Sequence, residues 1–421
     1  MHIVEQKKQE NAILVGVVHK NQTYEQVEEY LEELELLADT AGADVLSKEI
    51  QERKEIDPAF FIGKGKADML GELAKDIGAT VIIFDDELSP AQTRNLEKRC
   101  DVKIVDRNAL ILDIFAGRAK TREAKTQVEL AQLEYMLPRL TRMWTHLSRQ
   151  AGGAGIGLRG PGEKQLEVDR RLIQKRITHL KNDLEKIERQ RHIRRRQRQD
   201  TFKVALMGYT NVGKSTLMNA LTQSDVFVED RLFATLDSTV RRMDVSNSTE
   251  ILLIDTVGFI RKLPHHLVAS FKSTLEETQD ADLLLHVIDI SSQNFREQIH
   301  TVQKVMKDLN IDRKPVLNVF NKVDRVKDRD LITLVKDEYA PAVTVSASRG
   351  IFLDELQQKI TEFATENYIE MDVKLDIQRQ KEIANLYEMA NVLDKNYDNG
   401  FVNLRLRINK SRLSQIENLI E

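Results

Sequence analysis

The sequence has very little cysteine, few aromatic residues and no long hydrophobic run. Cys100 is the single cysteine among 421 residues, which excludes an internal disulfide framework and a cysteine metal site. No stretch approaches the ~18 consecutive apolar residues that span a membrane, and the first residues contain no apolar targeting core. We therefore expect a cytoplasmic location.

Charge, by contrast, is plentiful. Charged residues make up 31% of the chain, aromatic residues 5%, and the net charge is −4. This composition favours helix-rich modules with polar surfaces, and the length suggests about three domains of ordinary size. The local patterns divide the chain further, into an N-terminal α/β domain (1–107), a helical linker (108–200), a nucleotide domain (201–366) and a C-terminal α/β domain (367–421).

The most informative stretch begins with an apolar run, Val204 to Met207, and continues as Gly208-Tyr-Thr-Asn-Val-Gly-Lys-Ser215 before a helix-forming segment. A glycine loop between a strand and a helix is typical of a phosphate loop, because its backbone N–H groups turn inward toward a phosphate. Lys214 would reach the β- and γ-phosphates, and the Ser215 hydroxyl would bind Mg²⁺. The predicted nucleotide contacts here are Gly208, Tyr209, Thr210, Asn211, Val212, Gly213, Lys214, Ser215 and Thr216.

Two later segments supply groups that a triphosphate with Mg²⁺ needs. In the segment Phe233-Ala-Thr-Leu-Asp237, Thr235 is our choice to close over the γ-phosphate and the metal, with Thr239 as the second choice. An apolar strand ends at Asp255, which can hold a Mg²⁺-bound water, and the Gly258 N–H can sense the γ-phosphate. The predicted contacts are Phe233, Ala234, Thr235, Leu236, Asp237, Asp255, Thr256, Val257 and Gly258, and the metal set is Ser215, Thr235 and Asp255.

The base is read by a fourth element, Asn321-Lys-Val-Asp324, which follows a buried strand. The Asp324 carboxylate can accept hydrogen bonds from two N–H groups of guanine, whereas adenine lacks that donor pair. The predicted contacts are Asn321, Lys322, Val323, Asp324, Ser346, Ala347 and Ser348. Four such elements in fixed order predict a GTP-binding domain built on a parallel sheet with helices on both faces.

The N-terminal segment alternates strands and helices, which predicts another parallel sheet. The expected strands are 12–18, 44–49, 80–84 and 102–105. Gly63-Lys-Gly-Lys66 precedes a helix there and is open to two interpretations. It holds a phosphate, of RNA or of a second nucleotide, or it is a simple turn into the helix.

The linker differs in kind. A helix from Thr121 to Leu137 is predicted to end at Pro138. Six glycines then fall within residues 149–163, which excludes regular structure there. A second helix runs from Leu166 to about Gln199, with apolar residues in a short heptad seam, so we expect an intramolecular helical hairpin rather than a dimeric coiled coil.

This second helix is strongly basic. Between Arg170 and Arg198 it carries twelve Lys or Arg residues and three Asp or Glu residues. Such a face is often merely solvated, but an excess of this size in an acidic protein favours salt-sensitive binding to RNA backbone. The predicted RNA contacts are Arg149, Gly152, Gly153, Arg159, Arg170, Arg171, Lys175, Arg194, Arg195 and Arg196.

The C-terminal segment is expected to contain strand 372–377, helix 381–393, strand 401–408 and helix 411–419. No catalytic set occurs in it. We interpret it as a protein or RNA contact module, with a purely structural cap as the alternative.

The four nucleotide segments resemble GTPases of the Obg/Era/TrmE group, and Gly157-Leu-Arg-Gly-Pro-Gly-Glu-Lys-Gln-Leu-Glu-Val-Asp-Arg-Arg171 narrows the resemblance to the HflX family. The resemblance covers nearly the whole chain. It implies a monomeric, ribosome-associated GTPase that contacts the large ribosomal subunit and its RNA, not DNA, near the peptidyl-transferase centre. It further implies the splitting of stalled or idle ribosomes.

The resemblance also bears on hydrolysis. Phe259 stands where Ras-type GTPases carry a water-orienting glutamine, so intrinsic hydrolysis is expected to be slow and stimulated by the ribosome. Asn211 matches an asparagine that helps bind K⁺ in related GTPases, which adds it to Lys214, Thr235 and Gly258 as a catalytic candidate. A loop-bracing hydrogen bond is the alternative for Asn211. His265 and His266 are expected at surface helix-cap positions, with approach of either one to the nucleotide site as the alternative.

Two other classes of function compete with this hypothesis. One is an RNA-remodelling, helicase-like ATPase that uses the N-terminal Gly63–Lys66 region. The other is a ribosome-assembly scaffold in which nucleotide has only a structural role.

Overall fold

The computed structural model describes residues 10–20, 22–143, 161–196, 201–222, 232–245, 249–262, 278–366, 368–398, 400–410 and 413–420. Within them, no helix is both long and apolar enough to cross a membrane. The chain divides into two compact units. The first comprises Met1–Gln190 with Val228–Ser238 and Val257–Glu276, and the second comprises Arg191–Phe227, Thr239–Thr256 and Glu277–Glu421.

The first unit contains the predicted parallel sheet, which the structure confirms. Its strands are β1 (Glu10–Val18), β2 (Ala43–Glu52), β3 (Val81–Phe84) and β4 (Lys103–Asp106), in the order β2-β1-β3-β4. All three pairings are parallel. The connecting helices are α1 (Tyr24–Ala41), α2 (Lys64–Ile77) and α3 (Pro90–Cys100).

Local sequence explains where these helices begin and end. Thr23 forms a capping box with Gln26 at the start of α1, and Ser89 forms one with Gln92 at the start of α3. Gly42 and Gly78 end α1 and α2 in the left-handed conformation that glycine tolerates best.

Three further helices follow the sheet: α4 (Arg107–Arg118), α5 (Arg122–Met143) and α6 (Pro161–Arg196). Helix α4 is not predicted from the sequence. The prediction that Pro138 ends the first linker helix is wrong, because α5 continues through Pro138 to Met143. Contacts beyond the proline hold the helix in place, since Arg139 donates to the Leu88 carbonyl at 2.9 Å and to Asp106 at 3.1 Å.

Helices α5 and α6 form the predicted hairpin. Leu130 of α5 packs with Ile177 and Leu180 of α6 in one buried cluster. At its edge, the Arg176 guanidinium donates two hydrogen bonds to the Glu129 carboxylate, at 2.7 and 2.9 Å. The helix begins at Pro161, so residues 161–163 are helical and not irregular as expected.

The second unit contains a six-stranded sheet in the order β10-β9-β8-β5-β7-β6. Its strands are β5 (Phe202–Gly208), β6 (Thr239–Val245), β7 (Thr249–Asp255), β8 (Leu283–Asp289), β9 (Val316–Asn321) and β10 (Ala342–Thr344), and its helices are α7 (Lys214–Thr222), α8 (Phe295–Asp308), α9 (Arg329–Glu338) and α10 (Leu353–Glu366). The predicted parallel sheet is confirmed for five strands, whereas β6 pairs antiparallel to β7 at the edge.

The C-terminal part of this unit forms a three-stranded antiparallel sheet in the order β11-β13-β12. It consists of β11 (Tyr368–Asp376), α11 (Gln380–Met389), β12 (Asn391–Asp398), β13 (Phe401–Asn409) and α12 (Leu413–Ile420). The prediction that the first helix extends to residue 393 is wrong, because Asn391–Asp398 pairs with β13. Pairing with β13, the next strand along the chain, outweighs the local helical pattern at residues 391–393.

Candidate nucleotide-binding site

The predicted nucleotide residues of the second unit lie at one edge of its sheet. Strands β9, β8, β5 and β7 are neighbours and parallel, so their carboxyl ends meet at the same edge. The residues that end these strands are Asn321, Asp289, Gly208 and Asp255. Ligands of open α/β sheets bind at such an edge.

At two positions of this loop, both the backbone conformation and the close approach of neighbouring atoms require glycine. Gly208 has φ +153°, and a Cβ atom there would lie 2.2 Å from the Val287 carbonyl oxygen. Gly213 has φ +92°, and a Cβ atom there would lie 2.4 Å from the Asn321 amide nitrogen. The loop from residue 208 to residue 213 can therefore lie close against β8 and β9 only with glycine at these positions.

Lys214 begins α7 and is buried with its ammonium group turned back onto the loop. Its Nζ donates hydrogen bonds to the carbonyl oxygens of Gly208, at 3.2 Å, and Tyr209, at 2.7 Å. Burial lowers the pKa of Lys214 to about 8, against the opposing effect of the nearby Asp255 carboxylate. A buried cation whose hydrogen-bond partners among the described residues are neutral carbonyl groups is well placed to gain from an anionic ligand.

Ser215 and Asp255 are brought together from the start of α7 and the end of β7. The Ser215 hydroxyl donates to Asp255 Oδ2 at 2.7 Å, and the carboxylate is buried. Both groups offer the hard oxygen atoms that Mg²⁺ prefers. The neighbouring Thr256 instead donates its hydroxyl to the Leu206 carbonyl at 2.7 Å, which joins β7 to β5.

Asn321 connects the phosphate loop to the loop after β10. Its Nδ2 donates to the Val212 carbonyl at 2.8 Å, and its Oδ1 accepts from the Ala347 N–H at 3.0 Å. Lys322 adds a second link, because its Nζ lies 2.8 Å from the Asn211 carbonyl oxygen and 2.7 Å from Asp289. These bonds hold the loop after β10 and the loop from residue 208 to residue 213 in fixed positions relative to each other.

Asp324 lies beside the last of these loops. Its Oδ1 accepts a hydrogen bond from the Ser346 hydroxyl at 2.6 Å, and Oδ2 lies 3.4 Å from Nε of Arg349. The Ser346 hydrogen bond is the main cause that holds the pKa of Asp324 below its usual value, with the Arg349 charge contributing. Sequence reasoning missed Arg349, although it directly follows the predicted Ser346–Ser348 segment.

The other residues of the phosphate loop differ in exposure. Tyr209, Thr210 and Val212 are buried, whereas the side chain of Asn211 is exposed. The Thr210 hydroxyl has no hydrogen-bond partner among the described residues. Asn211 has φ +59°, in the left-handed region that asparagine tolerates better than most residues.

The segment Phe233–Asp237 is held by residues of the first unit, to which it belongs. The Phe233 ring packs edge to face on Phe115, with centroids 4.6 Å apart. The Asp237 carboxylate accepts hydrogen bonds from the backbone N–H groups of Lys120 and Thr121, and from the Thr121 hydroxyl, at the start of α5. Ala234 is exposed, Thr235 is half-buried and Leu236 is buried.

The segment that begins at Val257 also belongs to the first unit. Val257, Gly258 and Phe259 are buried. At its end, Lys262 Nζ lies 2.8 Å from Asp85 Oδ2 and also pairs with Asp86, while Arg261 lies over the Tyr30 ring. His265 and His266 lie outside the described residues.

Asp85, the partner of this segment, is buried and follows β3 directly. Arg107 pairs with it at 2.7 Å and also contacts Glu33. Burial alone would raise the pKa of Asp85, but the charges of Arg107, Lys262 and Arg261 outweigh burial and lower it.

The predicted RNA contacts are only partly within the described residues. Arg149, Gly152, Gly153 and Arg159 lie outside them. Arg170, Arg171 and Lys175 are exposed on α6, and Arg194, Arg195 and Arg196 belong to its last turn.

The Gly63–Lys66 stretch already uses several of its donors internally. The Gly63 N–H donates to Gln51 Oε1 at 2.9 Å, and Lys66 Nζ donates to Glu49 at 2.7 Å. Lys64 and Gly65 are exposed at the start of α2. These contacts favour the interpretation as a turn into a helix.

Three family models match consecutive parts of the chain. Residues 28–116 match the model described as GTP-binding GTPase N-terminal, and residues 118–198 match GTP-binding GTPase Middle Region. Residues 203–322 match the model described as 50S ribosome-binding GTPase. The three matches together cover most of the chain.

Curated relatives match over similar lengths. The protein named GTPase HflX of Escherichia coli (strain K12) is 45% identical over 404 residues, which is 95% of this chain and 93% of that protein. GTPase HflX of Caldanaerobacter subterraneus subsp. tengcongensis is 43% identical over 98% of this chain and 94% of that protein. GTPase HflX of Flavobacterium psychrophilum is 53% identical over 76% of each.

Proposed function

The chain belongs to the HflX family of GTPases, and on that premise we propose that it is a GTP-hydrolysing factor that binds the large ribosomal subunit and dissociates stalled or idle ribosomes. The observation that carries the nucleotide assignment is the sheet edge of the second unit. There Lys214, Ser215 and Asp255 offer a phosphate and metal end, and Asp324 offers a guanine end.

The phosphate end fits a bound triphosphate. Lys214 is a buried cation whose partners are all neutral carbonyl groups in the described structure apart from the nearby Asp255 charge. The buried Thr210 hydroxyl without a partner among the described residues is in the same loop. A nucleotide phosphate would satisfy both groups, because buried polar groups are normally hydrogen-bonded.

The residues present also fit Mg²⁺. Ser215 and Asp255 are the groups that would hold it, with Thr235 as a third candidate, and their oxygen atoms match the preference of this ion. When bound, Mg²⁺ neutralises charge on the β- and γ-phosphates. Lys214 stabilises the same oxygens from the protein side, and the Gly258 N–H is the candidate donor to the γ-phosphate.

Hydrolysis is proposed to be slow until the ribosome stimulates it. Phe259, at the place of the water-orienting glutamine, is buried and has no polar group. We assign K⁺ binding to Asn211, whose side chain is exposed in the phosphate loop, with a loop-bracing hydrogen bond as the alternative. Equal rates of GTP hydrolysis in potassium and sodium buffers would contradict this assignment.

Ribosome contact is proposed to use the basic face of α6. Arg170, Arg171 and Lys175 are exposed there. Arg171 and Lys175 lie on the side of α6 away from Ile177 and Leu180, which pack on α5, whereas Arg170 is seven residues before Ile177 and flanks the packed side. All three exposed side chains are accessible to phosphate groups without opening the hairpin. Phosphate contacts of this kind weaken as salt rises, because binding releases counterions.

Sedimentation with purified ribosomal subunits tests this proposal. With a non-hydrolysable GTP analogue, the chain should sediment with the large subunit and convert joined ribosomes to subunits, whereas ATP analogues should have no effect. The triple variant Arg170→Ala, Arg171→Ala, Lys175→Ala should bind more weakly with a shallower salt slope, by up to about three charges. Its control replaces the exposed Lys304, Lys307 and Lys327 of the other unit. Equal loss in both variants, or binding without nucleotide preference, contradicts the proposal.

A further inference from the structure

Arg349 lies in a short loop whose two ends are joined by a pair of backbone hydrogen bonds. Ser346 and Ile351 exchange N–H to carbonyl hydrogen bonds, both at 3.1 Å. Gly350 has φ +69°, which lets the loop reverse within four residues. The Ala347 N–H is also bound by Asn321. The backbone that carries Arg349 is thus fixed to the same strand end that carries the predicted guanine site.

The two oxygens of the Asp324 carboxylate have different partners in this loop. Oδ1 accepts from the Ser346 hydroxyl at 2.6 Å, so one side of the carboxylate is used by the loop stem. Oδ2 lies 3.4 Å from Nε of Arg349. The Asp324 side chain is 9% exposed and that of Arg349 66%, so the guanidinium approaches the carboxylate from the solvent side.

We propose that Arg349 is a built-in competitor of guanine, which pairs with Asp324 when the base is absent and must leave that carboxylate when the base binds. This inference rests on the proposed assignment of Asp324 to guanine. A guanine ring offers its N1–H and 2-amino donors to the same carboxylate that Arg349 faces. The base and the guanidinium therefore compete for one acceptor.

The competition depends on the negative charge of the Asp324 carboxylate. The Ser346 hydrogen bond, followed by the charges of Arg349 and Arg325, keeps the pKa of Asp324 below its usual value, so the group is ionised at neutral pH. An ionised carboxylate with little exposure is stabilised by a counter-charge when no base is present. Arg349 supplies that charge and lowers the free energy of the nucleotide-free state.

The expected effect is small, since the Arg349 side chain is 66% exposed and water screens its charge. Ion pairs at exposed positions contribute so little that their loss should change nucleotide affinity by about two- to fivefold. Removal of the arginine should tighten binding, because the nucleotide-free state loses its stabilising partner while the bound state does not. Because Arg349 stabilises the empty site and so weakens nucleotide binding, the same competition would favour nucleotide exchange.

The test measures dissociation constants for GDP in wild type, Arg349→Ala and Arg349→Met, of which the last keeps much of the side-chain length without the charge. Both variants should bind GDP about two- to fivefold more tightly at low salt, with the gain shrinking toward 1 M salt, where exposed charges are screened. The matched control is Arg325→Ala, which removes an equal, exposed charge near Asp324 that makes no ion pair with it among the described residues.

Unchanged or weaker GDP binding in both Arg349 variants would overturn the inference, as would an equal gain in Arg325→Ala. A second arm uses Asp324→Asn with xanthosine diphosphate as the ligand. There, addition of Arg349→Ala should give no further gain, and a persistent gain would also count against the inference. If the wild type binds ADP as tightly as GDP, the assignment of Asp324 to guanine is contradicted. If the wild type prefers GDP but the Arg349 variants bind it no more tightly, only the inference about Arg349 is contradicted.

Discussion

Ser215 Oγ donates a hydrogen bond to Asp255 Oδ2 at 2.7 Å, which joins the start of α7 to the end of β7. Ser215→Ala removes the hydroxyl that we assign to Mg²⁺. With Mg²⁺ present, the affinity of the variant for a GTP analogue should fall by about 10- to 100-fold. Most of the gain in affinity that Mg²⁺ gives should thereby be lost. Titration of the analogue with and without Mg²⁺ measures this. Thr222→Ala, a hydroxyl deletion at the other end of α7, is the control, and an equal loss there contradicts the assignment.

Asp324→Asn tests the base end of the site. The amide would present one acceptor and one donor, which match the N1–H and the 2-oxo group of xanthine but not the two donors of guanine. GTP affinity should fall by about 100-fold or more, and xanthosine triphosphate should become the better ligand. Competition between the two nucleotides measures the preference. A variant that keeps its preference for GTP would show that Asp324 does not read the base.

The candidate site could be predicted in outline because its residues lie at the ends of strands, and strand ends can be located from the sequence. Gly208, Asp255 and Asn321 all end parallel strands of one sheet, so recognition of the strands was enough to place them at the same edge. Arg349 could not be found this way, since its position depends on how one short loop is closed.

Elements that depend on distant contacts were less predictable. Pro138 is a strong local signal for a helix end, but Arg139 is bound to Leu88 and Asp106 and the helix continues. Residues 391–393 extend the predicted helix locally, but in the structure they belong to β12, which pairs with β13. Phe233 contacts Phe115, and Lys262 contacts Asp85. Each contact joins residues that are more than a hundred positions apart, and no local sequence pattern predicts it.

Asp85→Asn should destabilise the first unit. The substitution removes a carboxylate that neutralises Arg107, a residue 1% exposed, and Lys262. Loss of one partner of a buried ion pair typically costs about 3–5 kcal/mol, and the remaining Arg107 contact with Glu33 should place the loss toward the lower end. Urea unfolding measures the change.

The matched control for this substitution is Asp68→Asn, which removes the partner of Arg99 at a half-buried site of the same unit, where both side chains reach solvent. Ion pairs in contact with solvent contribute much less than buried ones, so this control should lose far less stability than Asp85→Asn. A similar stability of the two variants would show that the buried network around Asp85 does not hold the unit together.

His286 should make the second unit less stable as the pH falls. It is buried on β8, where Nδ1 faces Asn318 Oδ1 at 3.2 Å, and burial lowers its pKa from 6.5 to about 4. The unfolded chain then binds more protons than the folded chain between about pH 6.5 and pH 4, so stability falls as pH decreases through that window, by roughly 3 kcal/mol in total. His286→Asn keeps a donor toward Asn318 without a titrating group, and its unfolding midpoint should depend less on pH, even if it is lower throughout. His300→Asn, at an exposed position on α8, should retain the wild-type slope. An identical pH dependence in wild type and His286→Asn would show that the histidine does not cause the loss.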